Sequence, residues 1–379
     1  MCGIVGLLDP ERRSTGDALE ALALDMTRAL HHRGPDDYRV WAEPEAGIAF
    51  GHTRLSIIDL SAAGSQPMAS ASGRYVLSYN GEVYNASELR AELEKEGHRF
   101  RGHSDTEVIV EGFSAWGVLE TIERLIGMFA FAVFDRKERV LTLVRDRLGI
   151  KPLYWGQLDG RIVFASELKA FAALPGFPPE IDRDALATYL CTGYVPSPAS
   201  IYRGIFKLEP GTMLEVRADG VVRTHTYWSA LDVAVRGQSL PIEPDEAEAV
   251  AKLEALLSDA VTRRMVADVP LGVFLSGGID SSTVAALMQA NSQTPVRTFS
   301  IGFYERAFNE ADAAKAVAHH LGTDHTELYV SAAEAQGVVP KLPRVYDEPF
   351  ADVSQIPTLL VSEMTRKHVT VALSGDGGD

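Results

Sequence analysis

The sequence predicts two domains of different class in tandem: an α+β domain of antiparallel sheets with helices packed on them, then an α/β domain on a parallel, doubly wound sheet. Three observations predict this. A length of 379 residues exceeds one typical domain and gives each of two enough chain to bury a core. From about 48 to 170, short apolar strands recur between charged or glycine-containing turns. Past a polar, proline-bearing stretch near 229–248, strands and helices alternate instead, which is the pattern of parallel β-α-β units.

The elements follow in order. Residues 4–8, IVGLL, read as a strand, and 17–31 carry Leu19, Leu22, Met26 and Leu30 at helical spacing until Gly34-Pro35 stops the run. GIAFGHTRLSII, RYVLSYNGEVY, MFAFAVFD, RVLTLVRD and RIVFASE read as strands, with helices near 86–97 and 105–116. In the second domain VPLGVFL, VRTFSIGF, HTELYV and HVTVALS read as strands, while SSTVAALMQA and NEADAAKAVAHHLG read as helices. The boundaries expected are a first domain over 2–217, a linker over 218–245 and a second domain over 246–379.

Composition narrows the function. With 46% hydrophobic and 23% charged residues the chain is neither disordered nor fibrous. A formal charge of −16 argues against surfaces that hold nucleic acid or anionic lipid. No apolar run approaches the roughly 20 residues of a membrane-spanning helix. Asp9, Glu11 and two arginines interrupt the start, unlike a secretory signal. Cys2 and Cys191 are too few for a disulfide framework or a four-ligand zinc site. A cytoplasmic protein is expected, with Cys191 as packing.

Two glycine-rich stretches carry chemistry in the second domain. In SGGIDSS, between a strand ending at Leu275 and a helix beginning near Ser281, adjacent glycines let the backbone turn sharply. Their N–H groups and the serine hydroxyls then lie at the positive end of a helix dipole, a phosphate cradle. It lacks the lysine of a Walker A loop, so transfer of a terminal phosphoryl group is not implied. ALSGDGGD at 372–379 repeats the strand-then-turn design. If the strands are parallel, Asp280 and Asp379 both lie at the carboxyl edge of the sheet. Two hard oxygen ligands beside phosphates suit Mg²⁺.

In the first domain Cys2 becomes residue one when the initiator methionine is removed. The thiol and the α-amine then share one residue, with unperturbed pKa values of about 8.5 and about 7.7–8.0, close enough for the amine to take the thiol's proton.

These motifs carry a resemblance. SGGIDSS looks like the pyrophosphate loop of ATP-dependent synthetases that adenylate an acceptor. With LSGDGGD and YDEPFADVSQIPT it resembles the synthetase domain of glutamine-hydrolysing asparagine synthetases. MCGIVGLLD, HHRGPDD, GHTRLSIID, YNGEVYN and GHSDTEV, in that order, resemble the class II glutamine amidotransferases, and RDRLGIKPLYW and FASELKAF continue the likeness. It implies an αββα N-terminal-nucleophile sandwich followed by an ATP pyrophosphatase-type domain.

The resemblance also implies roles. Cys2 is the nucleophile, with the Asn80 amide and Gly81 N–H as oxyanion donors. Arg54 would hold the α-carboxylate of glutamine, and Asp105, with Glu82 nearby, its α-ammonium; main-chain groups around Ile57 and Ile58 complete the pocket. Each has a plain alternative: Asn80-Gly81 as a turn, Arg54 as a surface cation, Asp105 as a helix cap. Arg33-Gly34-Pro35 shapes a nearby loop, and His31 and His32 are given no chemistry.

For the nucleotide, the likeness assigns Leu275, Ser276, Gly277, Gly278, Asp280, Ser281, Ser282, Ile301, Ser374 and Gly375 to ATP, and Asp280 and Asp379 to Mg²⁺. Asp376 stands where these synthetases commonly carry glutamate, a residue associated with the adenylate or ammonia. The activity implied is ATP-dependent transfer of the glutamine amide nitrogen to aspartate, giving asparagine, glutamate, AMP and pyrophosphate. The alternative is the same chemistry on another carboxylate, such as a sugar acid or a peptide. Dimerisation is expected from the likeness alone. The family continues well past the point where this chain stops, so a C-terminal truncation is expected.

Overall fold

The computed structural model describes residues 1–240, 245–305 and 309–377. The chain divides into two compact units, Met1–Pro241 with Tyr346–Ala351, and Ile242–Val345 with Asp352–Asp379.

The first unit runs β1 (Gly3–Leu8), α1 (Gly16–Ala29), β2 (Asp37–Glu43), β3 (Ile48–Arg54), β4 (Met68–Ala69), β5 (Tyr75–Val83), α2 (Ala86–Lys95), α3 (Asp105–Trp116), α4 (Val118–Arg124) and β6 (Gly127–Asp135). It continues through β7 (Val140–Arg145), β8 (Tyr154–Leu158), β9 (Arg161–Ala165), α5 (Arg183–Thr192), β10 (Ile205–Lys207), β11 (Thr212–Val216), β12 (Val222–Thr226) and α6 (Ala230–Ser239). Two six-stranded sheets result, ordered β10-β8-β9-β1-β3-β2 and β12-β11-β7-β6-β5-β4. Their pairings are antiparallel.

The strand sequences explain the layering. In β6 the alternation of phenylalanine and alanine leaves no polar face, as a strand covered on both sides requires. Phe129, Phe131 and Val133 pack with α2, α3 and α4 on one side, while Ala130, Ala132 and Phe134 meet Ile4, Ile48 and Phe50 of the other sheet. In β1, Ile4 and Leu8 face that inter-sheet core, and Val5 and Leu7 face Leu19, Ala23 and Met26 of α1. The order of layers is therefore helix, sheet, sheet, helix. Two polar ties cross between the sheets: the His52 ring bonds the Tyr79 carbonyl (3.0 Å), and Ser78 Oγ donates to the Gly51 carbonyl (3.2 Å). Burial pushes His52 down to about 4, so the ring is neutral and donates through Nε2.

The second unit runs α7 (Glu246–Arg263), β13 (Leu271–Phe274), α8 (Ile279–Ala290), β14 (Arg297–Phe303), α9 (Ala311–Leu321), β15 (Asp324–Val330), α10 (Ala332–Val338), α11 (Leu342–Val345), α12 (Gln355–Thr365) and β16 (Val371–Leu373). Its sheet has the order β15-β14-β13-β16, every pair parallel. Helices α7, α8 and α9 cover one face through Val261, Ala285, Met288, Ala314 and Ala318. Val361 and Met364 of α12 cover the other, against Phe299. The chain leaves β13 outward to β14 and β15 and then returns to its opposite side as β16, so the switch point lies between the carboxyl ends of β13 and β16.

Several details depart from the sequence expectations. The first helix ends at Ala29, and His31–Arg33 form a separate tight turn. Within the expected linker, Val222–Thr226 is a strand paired with β11 and Ala230–Ser239 is a helix; residues 241–244 of that linker lie outside the described residues. Cys191 is exposed rather than packed, because its helix buries little besides Ala185. Among the described residues no helix is long and apolar enough to cross a membrane.

Candidate active site

Cys2 sits just before β1, where the strand mouth opens onto a cleft. Met1, Cys2, Arg54, Leu55, Ile57, Ile58, Asn80, Gly81, Glu82 and Asp105 all line it, with Tyr79, Gln66 and Lys151 among the others. The Leu55 N–H donates to Cys2 Sγ at 3.5 Å, and the Leu55 carbonyl lies 3.7 Å away. Burial pushes the thiol up, while the Leu55 N–H, the nearby terminal amine and Arg33 pull it back and Asp105 adds to the rise.

Arg33, in the tight turn after α1, fixes the backbone under this sulfur. Its Nε donates to the Cys2 carbonyl at 2.8 Å and its Nη1 pairs with Glu167 at 2.6 Å. His32 and Lys169 share the same carboxylate, at 3.0 and 2.6 Å. Gly34 is required beside it: a Cβ there would sit 2.3 Å from the Thr53 carbonyl carbon. Arg33-Gly34-Pro35 thus form a turn beside the cleft, and Arg33 also holds the Cys2 main chain.

Arg54 ends β3 and is buried, not a surface cation. Its guanidinium donates to the carbonyls of Ser61 (2.9 Å) and Asp59. Asp59 shapes that loop by accepting from Ser61 N–H (3.1 Å), Ser61 Oγ (2.5 Å) and His103 N–H (2.9 Å). Burial alone would raise Asp59, and these donors more than reverse it. Asp36 accepts the Ser56 N–H at 2.8 Å, anchoring the stretch that carries Ile57 and Ile58.

Asn80 and Gly81 lie mid-strand in β5, opposite Ala130 and Phe129, and not in a turn. The Asn80 side-chain Nδ2 is buried without a hydrogen-bond partner, which normally costs about 1–3 kcal/mol. At Gly81 a Cβ would come within 2.4 Å of the Met128 carbonyl oxygen, so only glycine lets β5 and β6 close up here. Helix α3 is capped by Ser104, whose Oγ accepts the Glu107 N–H at 3.3 Å, leaving Asp105 free of that duty. Asp105 accepts from Tyr79 OH (2.7 Å) and from the N–H groups of Val83 (3.0 Å) and Thr106 (2.8 Å); burial nevertheless raises its pKa.

Tyr79, Gln66 and Lys151 are among the cleft residues that carry no sequence-based assignment. Tyr79 and Gln66 brace the floor, Gln66 Oε1 accepting the Tyr79 N–H at 2.7 Å. Lys151 brings a buried cation from the loop after β7. The motif RDRLGIKPLYW was its only available signal.

In the second unit, Ser276–Ser282 follow β13 at the switch point. Gly277 has φ +83° and packs against α9, where a Cβ would lie 2.7 Å from the Ala313 Cβ and the Ala314 nitrogen. Ser276 Oγ accepts the Gly278 N–H at 3.2 Å and lies 2.9 Å from Ser281 Oγ. Ser282 Oγ is buried without a partner, and Asp280 stands in the first turn of α8. Gly375 packs against the same turn, its Cβ position 2.7 Å from the Ser281 nitrogen. Ser374 Oγ donates to Asp376 at 3.0 Å. Leu275 bonds β14 through the Phe299 carbonyl at 2.8 Å, and Ile301 lies further along β14. Asp379 lies outside the described residues, and among those described no three His, Cys, Asp or Glu side chains cluster as a metal site.

Residues 1–228 match the family described as glutamine amidotransferase domain, and residues 252–379 the family described as asparagine synthase. The chain is similar over its whole length to asparagine synthetase [glutamine-hydrolyzing] 1 of Bacillus subtilis, at 37% identity, and covers 58% of that protein. A putative asparagine synthetase of Mycobacterium tuberculosis is 39% identical, with 59% of its length covered. A putative asparagine synthetase 2 of Methanocaldococcus jannaschii is 37% identical, with 74% covered. The chain thus spans under three fifths of the first two relatives. Among solved structures, a glutamine phosphoribosylpyrophosphate amidotransferase from B. subtilis superposes with a TM-score of 0.44 at 18% identity, covering 86% of this chain and 65% of that one.

Proposed function

The chain belongs to the glutamine-hydrolysing asparagine synthetase family, and from that premise we propose that it moves the amide nitrogen of glutamine to aspartate at the expense of ATP. The reading treats the first unit as an N-terminal-nucleophile sandwich of the class II type. Removal of Met1 leaves the Cys2 amine beside its thiol. The amine takes the proton, the sulfur attacks the side-chain amide carbon, and a tetrahedral oxyanion forms. Asn80 Nδ2 and the Gly81 N–H donate to it. Its collapse expels ammonia, the amine returning the proton to the leaving nitrogen, and water then cleaves the thioester to glutamate.

Arg54 would pair with the substrate carboxylate in two prongs, and Asp105 with Glu82 would receive its ammonium. One observation carries this reading: a buried amide N–H with no protein partner, Asn80 Nδ2, lies in the same cleft as Cys2 and Arg54. An oxyanion there would satisfy it.

For the second unit, the reading is a pyrophosphatase-type loop. The 276–282 turn and the start of α8 would take the phosphates of ATP, with Leu275, Ile301, Ser374 and Gly375 around the nucleotide. The unpaired Ser282 hydroxyl fits a phosphate oxygen. Mg²⁺ would neutralise phosphate charge as ATP loses pyrophosphate, with Asp280 and Asp379 as its carboxylates. Aspartate would attack the α-phosphate, pyrophosphate would leave, and ammonia would displace AMP, with Asp376 beside the acceptor. A reducing, cytoplasmic setting suits two unpaired cysteines.

The test is direct. Protein with Met1 removed, verified by intact mass, is incubated with glutamine, ATP, Mg²⁺ and aspartate; asparagine, AMP and pyrophosphate are expected in equal amounts. Cys2→Ala should abolish glutamine hydrolysis, and glutaminase activity unchanged in that variant would overturn the assignment. Pyrophosphate release with a sugar acid but not aspartate would replace the acceptor.

A further inference from the structure

Lys151 is a buried cation at the glutaminase cleft that the mechanism above does not use. Its place is built rather than incidental. The Asp146 carboxylate accepts four main-chain N–H groups, those of Phe129 (3.1 Å), Leu148 (3.1 Å), Ile150 (3.0 Å) and Lys151 (3.0 Å). From the other side Arg145 donates to the carbonyls of Lys151 (2.9 Å), Gly149 (2.7 Å) and Leu208 (2.7 Å). Gly149, at φ +68°, makes the turn between them. Both peptide ends of Lys151 are therefore pinned, and its side chain lines the cleft only 6% exposed.

Each neighbouring cation already bonds a protein group, and Arg54 is in addition the one assigned above to the substrate carboxylate. Arg145 and Arg147 bond carbonyls, Arg33 is paired with Glu167, and Arg54 holds the carbonyls of Asp59 and Ser61. The Lys151 ammonium makes no hydrogen bond or ion pair among the described residues. Burial pushes it down and Arg33 adds to that, while Glu82, Asp146 and Cys2 favour its charged form.

A cation on a residue only 6% exposed, with no protein partner, favours an anion that appears in use. We propose that Lys151 is a positioning residue of the glutaminase site, whose ammonium stabilises the Cys2 sulfur in its anionic form. This rests on Cys2 being the nucleophile. The groups acting on that sulfur are the Leu55 N–H, the terminal amine, Arg33 and Asp105, with Arg54 and Glu82 on the same cleft, and the Cys2–Lys151 coupling is seen from the lysine, whose charged form Cys2 favours. Asp105 opposes the thiolate, and Lys151 offsets it. Deleting the ammonium then disfavours the thiolate and moves its titration to higher pH.

The test is the pH dependence of Cys2 carbamidomethylation without glutamine, followed by peptide mass spectrometry, in a Cys191→Ser background since the exposed Cys191 would react as well. Lys151→Gln should raise the midpoint by about one unit and slow alkylation about tenfold near pH 7; Lys151→Arg should restore most of it. The glutaminase kcat of Lys151→Gln should fall in step and approach wild type at high pH. Lys151→Met, close in shape and uncharged, provides the same readout should the glutamine variant fail to fold. A midpoint unmoved in the uncharged variants, with or without a rise in KM, would overturn the inference while leaving the glutaminase reading intact. Only glutaminase surviving Cys2→Ala would remove that reading itself.

Discussion

In the proposed mechanism Asn80 is the residue whose loss should separate binding from catalysis. Its Nδ2 bonds nothing in the protein, so Asn80→Ala removes the proposed oxyanion donor without opening a hydrogen-bond network. The glutaminase kcat should fall about 10²–10³-fold, with KM changed little and the melting temperature nearly unaltered. A drop confined to KM would place Asn80 in ground-state binding instead. This residue also shows what could be read in advance. Cys2, Arg54, Ile57, Ile58, Asn80, Gly81, Glu82 and Asp105, chosen from four short motifs, all line one cleft. Lys151 and the Arg33 contact to the Cys2 carbonyl were not legible. A loop carries no periodicity to say which way a side chain points, and Lys151 is aimed by Asp146 amide contacts that include Phe129, on another strand.

Between elements, Glu167 joins the turn after α1 to the segment after β9. Arg33, His32 and Lys169 converge on this one carboxylate, which is mostly buried. Burial would raise its pKa, but those three donors hold it well below the ordinary 4.5. A depressed carboxylate stabilises the fold above its unfolded pKa, and the contribution fades as pH falls below about 4.5 toward the folded value. Glu167→Gln should therefore destabilise by about 3 kcal/mol at pH 7, because Arg33 loses its counter-charge, and by clearly less at pH 3. Urea melts at both pH values measure this, and an equal loss at each would show that packing, not charge, is responsible. Elements with a clear period were legible in the same way that this tie was not. The strands of MFAFAVFD and VRTFSIGF and the helix of SSTVAALMQA stand where their patterns put them. Helix α12 was hidden by Pro357 near its start, tolerated because the first-turn N–H groups have no helical partner to lose, and α7 by its many charged and exposed positions.

Over the whole molecule, the two proposed chemistries would draw on residues of separate units, so one backbone change should divide them. Gly277 offers it: alanine there would need φ near +83° and would press its Cβ to 2.7 Å from Ala313 and Ala314. Left-handed backbone costs a non-glycine residue roughly 1–2 kcal/mol, and the contact adds more, so the loop must shift away from α9 and the start of α8. ATP-dependent pyrophosphate release should then fall at least tenfold. The glutaminase rate should stay within about twofold, because Cys2, Arg54, Asn80 and Asp105 all belong to the first unit. Cys2→Ala should do the reverse, losing glutamine hydrolysis while ammonium salts still support pyrophosphate release. If Gly277→Ala silences the glutaminase as well, the first unit depends on the state of the nucleotide loop, and hydrolysis must be treated as a property of the entire chain.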